Sequence, residues 1–287
     1  MQVETIADTA YWVAFQRAIE SERPDALFHD SYARLLAGEC GERFAASGYS
    51  QLATSVVAQR TAVFDEFVLR LVNHNEIDLV LNLAAGLDTR PYRLPLPSSL
   101  KWIEVDLADT LAYKQLLLKD ERPVCQLESI GLDLSNASLR SELFARLNHD
   151  AQKALVLSEG LLVYLPEKEV ALLASDLHGQ ARFEYWLMDL MSPTSLRMMS
   201  DHVGQRFEAA RAPLCFAPKD GGDFFRPYGW KPIERRLAFA EMRRLGRLPS
   251  KKAGLAFLLE AVRSLKGRSM DGTILLKRIL QAKEPER

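Results

Sequence analysis

The apolar positions of the chain follow two patterns that change near Asn75. Before it they recur at helical spacing: Val56, Val57, Val63, Phe64, Phe67, Val68 and Leu71 line one face of a long segment. Residues 6–75 therefore read as helical, with Gly38, Gly41 and Gly48 marking the join between segments. After Asn75 the apolar residues come in short, nearly unbroken runs. Residues 77–83, 102–106, 124–132, 154–158, 183–190 and 273–276 read as strands. Helical stretches lie between them at 109–119, 139–148 and 167–180. The last opens on Pro166, Glu167 and Glu169, a proline and acids where a helix N-terminus favours them.

Strands alternating with helices predict an α/β fold with a mostly parallel sheet. The unbroken apolar strands suit a sheet covered on both faces. Residues 193–232 are rich in Pro, Gly, Met and Phe and poor in periodicity, and read as a lid insertion. The expected organisation is an N-terminal helical cap over 1–75 and an α/β domain over 76–287 carrying that lid, together one structural unit.

Composition narrows the partners. Apolar residues make up 48% and charged residues 26%, which excludes a disordered chain. A net charge of −1 argues against a nucleic-acid binder, which usually carries a basic surplus. The charge is uneven, however: residues 231–287 hold fifteen Lys and Arg against six Asp and Glu. That end is read either as solvated helix faces or as a docking face for an acidic carrier domain. Cys40, Cys125 and Cys215 and the five His show no metal-ligand spacing, so no metal is expected. Free thiols point to a reducing compartment, and the expected location is the cytoplasm. The apolar stretch 154–165 is interrupted by Ser158 and Glu159 and is too short to span a bilayer, so no membrane partner is expected.

In a doubly wound sheet, ligands bind beyond the carboxyl ends of the strands. The first strand ends in Asn82 to Arg90, NLAAGLDTR, whose small residues up to Gly86 let a ligand approach the backbone. The second ends in Asp106, twenty residues after Gly86, where an acid accepts from ribose hydroxyls. The third runs into Asp133 and Leu134, an acceptor for an adenine amine beside an apolar side chain; a plain turn explains them as well. The fourth ends in Glu159, an acid costly to bury unless paired with a ligand amine or a structural Arg. A dinucleotide would need a GxGxxG phosphate loop, and only Gly86 is present, with Asp88 nearby to repel an anion. S-adenosylmethionine, which has no phosphate, fits better. A nicotinamide-dependent reductase and a non-catalytic binding protein are the other classes this sheet could serve.

The stretches NLAAGLDTRPYRL, WIEVD and SEGLLVYLP, with RAIESERPDALFHDSYA and QRTAVFDEFV before them, resemble the leucine carboxyl methyltransferase group of class I methyltransferases over roughly residues 9–190. The resemblance implies a class I methyltransferase fold, a Rossmann-like, mostly parallel seven-stranded sheet ending in one antiparallel strand. It further implies that Arg60 binds the methionine carboxylate and that Gly86 lies under the methionine tail. By the same resemblance Asp106 holds the ribose, Asp133 and Leu134 recognise adenine, and Glu159 contacts the amine region. Arg17 aligns loosely with a second basic contact.

The family includes protein carboxyl methyltransferases and bacterial O-methyltransferases. Between these, a small, partly hydrophobic methyl acceptor is expected, methylated on a hydroxyl or carboxyl oxygen, with protein C-terminal methylation as the alternative. Tyr164 is the candidate to shape or hydrogen-bond that acceptor. Met188, Tyr228 and Trp230 are the candidates to line its pocket.

Overall fold

The computed structural model describes residues 7–46, 51–74, 76–209, 213–248 and 271–279. The chain opens with three helices, α1 (Ala7–Ser21), α2 (Ala33–Ala46) and α3 (Gln51–His74). The strands and helices that follow alternate: β1 (Leu79–Leu83), α4 (Arg90–Arg93), β2 (Lys101–Asp106), α5 (Ala108–Leu117), β3 (Gln126–Gly131), α6 (Ala137–Asp150), β4 (Ala154–Ser158), α7 (Glu167–His178) and β5 (Phe183–Leu190). After β5 come α8 (Pro193–Ala209), a 3-10 segment (Gly221–Tyr228), β6 (Trp230–Leu237), α9 (Ala238–Arg244) and β7 (Gly272–Arg278). Gly48, the basic stretch 249–270 and residues 280–287 lie outside the described residues.

The seven strands form one sheet in the order β3-β2-β1-β4-β5-β7-β6. Strands β1 to β5 pair in parallel, and β7 runs antiparallel to both β5 and β6. The order reverses between β1 and β4, so the carboxyl ends of those two strands flank the crevice where a doubly wound sheet takes its ligand.

Side-chain alternation divides each central strand between two cores. Leu79, Leu81, Leu83 and Val156 join Leu143, Phe144, Leu173 and Leu177 of α6 and α7 on one face. Val80, Leu155 and Leu157 join Val63, Phe64, Phe67 and Val68 of α3 on the other. Strands β1 and β4 are thus buried at every residue, which is why they read as unbroken apolar runs. Edge strand β6, WKPIERRL, alternates charge with apolar residues and carries Pro232 beside an irregularity in its pairing. Its pattern concealed it, and its first residues fall inside the stretch 193–232 read as a lid.

A third cluster, with Ala14, Leu36, Ala37, Leu87 and Leu118, seats α1 and α2 on the turn after β1. The cap is pinned electrostatically as well. Arg247, beyond α9, is 6% exposed and places its guanidinium on Glu20 of α1 at 2.6 Å and on Asp25 at 3.1 Å.

Candidate functional site

The turn after β1 is shaped by two left-handed residues, Ala84 and Gly86, both at φ 51°. A non-glycine residue is strained there, and such strain persists where the surroundings over-determine it. Asp106, at the carboxyl end of neighbouring β2, holds the turn from the side. Its Oδ2 accepts from the backbone N–H of Gly86 and its Oδ1 from that of Leu107, both at 2.7 Å. Burial raises the Asp106 pKa above its ordinary value, outweighing these two hydrogen bonds, which lower it. The Thr110 side chain adds a third hydrogen bond to the same carboxylate.

Beneath the turn lies a layer of buried ions. Arg90, 3% exposed, donates to Asp65 at 2.7 Å, to Asp88 at 2.8 Å and to Glu159 at 2.8 Å. Asp88 also accepts from the amide of Asn82 in β1 at 2.8 Å. Burial pushes the Asp88 pKa up, but Arg90, Lys114 and Arg17 together bring it well below its ordinary value. The Asp88 charge is therefore spent inside the protein. Arg93 closes the layer with a two-pronged grip on Asp65, at 2.6 and 2.8 Å.

Glu159, just past β4, sits between two guanidinium groups, Arg60 on Oε1 at 2.9 Å and Arg90 on Oε2 at 2.8 Å. Burial alone would raise its pKa, yet the two arginines hold it below its ordinary value. The structural-Arg reading of a buried acid at this strand end is met twice over. Arg60, on α3, also donates to Asp189 near the end of β5 at 3.2 Å. Burial would lower the Arg60 pKa, but Asp189 and Glu159 raise it, so the group stays charged. The structure thus brings Arg60, Glu159, Gly86 and Asp106 to the carboxyl ends of β1, β2 and β4.

Arg17 is nearby but committed: it donates to Asp30 at 2.9 Å and to the carbonyl of Leu87 at 2.6 Å, behind the turn. Asp133 lies just past β3, whose Gly131 pairs with Asp106. It is exposed, with Oδ1 accepting from the Ser135 N–H at 2.9 Å, and Leu134 beside it is half-buried against the core. Tyr164 ends a 3-10 turn, Leu162–Tyr164, half-buried and close enough to Arg60 to help raise its pKa.

Three expected acceptor contacts are corrected. Met188 is 0% exposed and packs in the α7 core. Trp230 is also 0% exposed and donates its indole N–H to the Ala174 carbonyl of α7 at 2.9 Å. It pairs with Arg278, and the next pair, Lys231 with Lys277, stands level with Tyr185 early in β5. Trp230 therefore starts its strand at the amino end of the parallel strands, the far side of the sheet from Asp106 and Glu159. Tyr228, two residues earlier, lies at that end too, its ring tilted against Phe224 at 5.5 Å. An aromatic-rich stretch read without its direction looked like a pocket; it is the cover of α7 and β5.

Sequence reasoning missed Arg90, Asp65 and Asp189. Arg90 and its partner Asp88 both stood in the quoted motif NLAAGLDTR, but its other partners come from α3 and from the loop after β4, and no spacing reveals those. Leu107, directly after Asp106 and 46% exposed, is a further apolar surface at the rim.

A parallel sheet with one antiparallel strand, an acid after β2 and a glycine turn without a phosphate loop together define a class I S-adenosylmethionine-dependent methyltransferase. The leucine carboxyl methyltransferase family model matches residues 10–178, and the chain belongs to that family. A Streptomyces coelicolor protein named "Putative S-adenosyl-L-methionine-dependent methyltransferase" is 31% identical over 276 residues, covering 89% of this chain and 94% of its own. A Frankia alni protein of the same name is 30% identical, covering 80% and 84%. Among solved structures, a Thermobifida fusca protein described as a putative methyltransferase superposes with a TM-score of 0.60 at 17% identity, covering 96% and 95%. A DUF574 family protein from Streptomyces avermitilis gives 0.58 at 12% identity, covering 93% and 97%. The cofactor is S-adenosylmethionine. No described helix is long and apolar enough to cross a membrane, and no described group of His, Cys, Asp and Glu could hold a metal ion.

Proposed function

We propose that the chain methylates an oxygen of a small, partly hydrophobic acceptor, a hydroxyl or a carboxyl group. One observation carries this reading. Segment 213–218 folds back over the loop after β4, with Cys215 N–H and Phe216 N–H both on the Val163 carbonyl at 2.7 and 3.1 Å. Leu161, Val163, Tyr164, Met191 and Leu214, on the loops after β4 and β5 and on this segment, are half-buried, and we read them as one apolar side of the acceptor site. An apolar enclosure with few polar groups is the usual form of a small-molecule site.

The chemistry asks little of the protein beyond placement. The sulfonium already activates the methyl group, so the protein brings the acceptor oxygen to about 3 Å and keeps water out. In this reading Asp106 takes the ribose, Asp133 and Leu134 the adenine, and Arg60 the carboxylate. Glu159 keeps a lone pair on each oxygen for the amine, and Tyr164 hydrogen-bonds or shapes the acceptor. A carboxylate acceptor needs no general base, whereas a hydroxyl acceptor of high pKa does.

Membership of the leucine carboxyl methyltransferase family favours a second reading, methylation of a protein C-terminal carboxylate. Incubating the enzyme with tritiated S-adenosylmethionine and a cell lysate separates the two. Label in the small-molecule fraction supports the first; label confined to protein bands supports the second and removes the first. We place the enzyme in the cytoplasm. An acidic carrier domain is the partner that the basic residues after 231 would suit.

A further inference from the structure

Asp189 has no part in the scheme so far, yet it touches the centre of the site. It lies near the end of β5, one residue beyond the pairing of Met188 with Ser158 of β4. Its Oδ1 accepts the backbone N–H of Gly160 at 2.6 Å, and its Oδ2 accepts from Nη1 of Arg60 at 3.2 Å. Its side chain is 25% exposed, so it borders the open crevice.

The contact is not needed to neutralise Arg60. Without Asp189, the four arginines Arg17, Arg60, Arg90 and Arg93 still meet four carboxylates, Asp30, Asp65, Asp88 and Glu159, and Arg60 keeps Glu159. What Asp189 adds is direction. A guanidinium is a rigid plane with five N–H donors. Glu159 alone, holding Nε at 2.9 Å, leaves that plane free to swing; a second acid on Nη1 fixes it. Gly160 completes the arrangement. Its φ is +66°, and a Cβ there would stand 3.3 Å from Arg60 Nη1, so the turn is open where the arginine passes.

We infer that Asp189 is a positioning residue for the cofactor's amino-acid end. Together with Glu159 it sets the plane of Arg60, so that the remaining guanidinium N–H groups meet the carboxylate of S-adenosylmethionine. This rests on the assignment of Arg60 in the proposed function. The field of one carboxylate nearly cancels over a zwitterionic tail, so orientation is what its loss exposes.

The test compares two ligands that share adenosine and sulfur. S-adenosylhomocysteine carries the amino-acid tail; methylthioadenosine does not. Calorimetry on wild type and Asp189→Asn should show S-adenosylhomocysteine weakened roughly tenfold, the scale of one charge-assisted contact. Methylthioadenosine should bind both proteins alike. Equal losses for the two ligands would make Asp189 a general support of the fold, and an unchanged or tighter S-adenosylhomocysteine would remove it from the site. Asp189→Glu keeps the charge but moves it by one methylene. It carries the same comparison if the amide variant does not fold, with a smaller selective loss expected. A wild type that binds methylthioadenosine but gains nothing from the tail, with Arg60→Ala equally silent, would instead overturn the Arg60 assignment on which the inference stands.

Discussion

Replacing Arg90 with Met removes the hub of the ion layer while keeping most of its volume. The guanidinium is 3% exposed and bonded to three carboxylates, so its neighbours rearrange unequally. Asp65 keeps both prongs of Arg93, at 2.6 and 2.8 Å, and Glu159 keeps Arg60 at 2.9 Å. Asp88 loses its ion-pair partner and keeps only neutral donors close by, the Asn82 amide at 2.8 Å and the backbone N–H of residue 90 at 2.9 Å, with Lys114 and Arg17 more distant. A buried ion whose partner is deleted costs about 3–5 kcal/mol. Since roughly 2–4 °C of melting temperature is lost per kcal/mol at 150–250 residues, a fall on the order of 10 °C is expected. The informative variant is the double one. Arg90→Met with Asp88→Asn removes the stranded charge together with its partner and should recover at least about 1 kcal/mol, the size of coupling seen for residues in contact. Chemical denaturation of the four proteins measures the cycle. A single variant costing under about 1 kcal/mol, or a double variant equal to the sum of the singles, would refute the claim that Asp88 depends on Arg90.

Acid stability follows from the same carboxylates. Asp88 and Glu159 lie below their ordinary values of 3.8 and 4.5, so their contribution is complete above those values and is lost as pH falls below them. Denaturation midpoints should hold near neutrality and drop in that acid range, and Asp88→Asn should flatten the drop; an unchanged slope would contradict it. Arg60→Lys should bind S-adenosylhomocysteine less tightly in calorimetry, because an ammonium lacks the planar fork that meets Glu159 from Nε and Asp189 from Nη1 and leaves further N–H groups for a carboxylate. Trp230→Ala should cost about 3–5 kcal/mol of stability by emptying the aromatic cluster with Trp186 at 5.6 Å, while cofactor affinity of the folded protein is unaltered. A selective loss of acceptor binding in that variant would return Trp230 to the site.

Backbone-scale features were legible in the sequence wherever local chemistry specifies them. The strand runs at 79–83 and 154–158 announced themselves because central strands are apolar on both faces. The place of Asp106, at the end of β2 beside the Gly86 turn, was legible because strand end, glycine turn and spacing all act within one βαβ unit. β6 was not, since an edge strand alternates its polarity and reads as helix or loop. Trp230 misled for a related reason: an aromatic residue signals burial, and only the strand direction says at which end of the sheet it is buried. The pairing of Arg60 with Glu159 spans 99 residues and that with Asp189 spans 129, distances at which a sequence shows the charges and hides their partners.

The account turns on Asp106 as the ribose acceptor, and titration of S-adenosylhomocysteine into wild type and Asp106→Ala tests it most directly. Loss of a hydrogen bond to a charged group predicts weakening by about 1.5–3 kcal/mol, roughly 10- to 150-fold in affinity. The same Kd in both proteins would contradict a cofactor bound over the Gly86 turn.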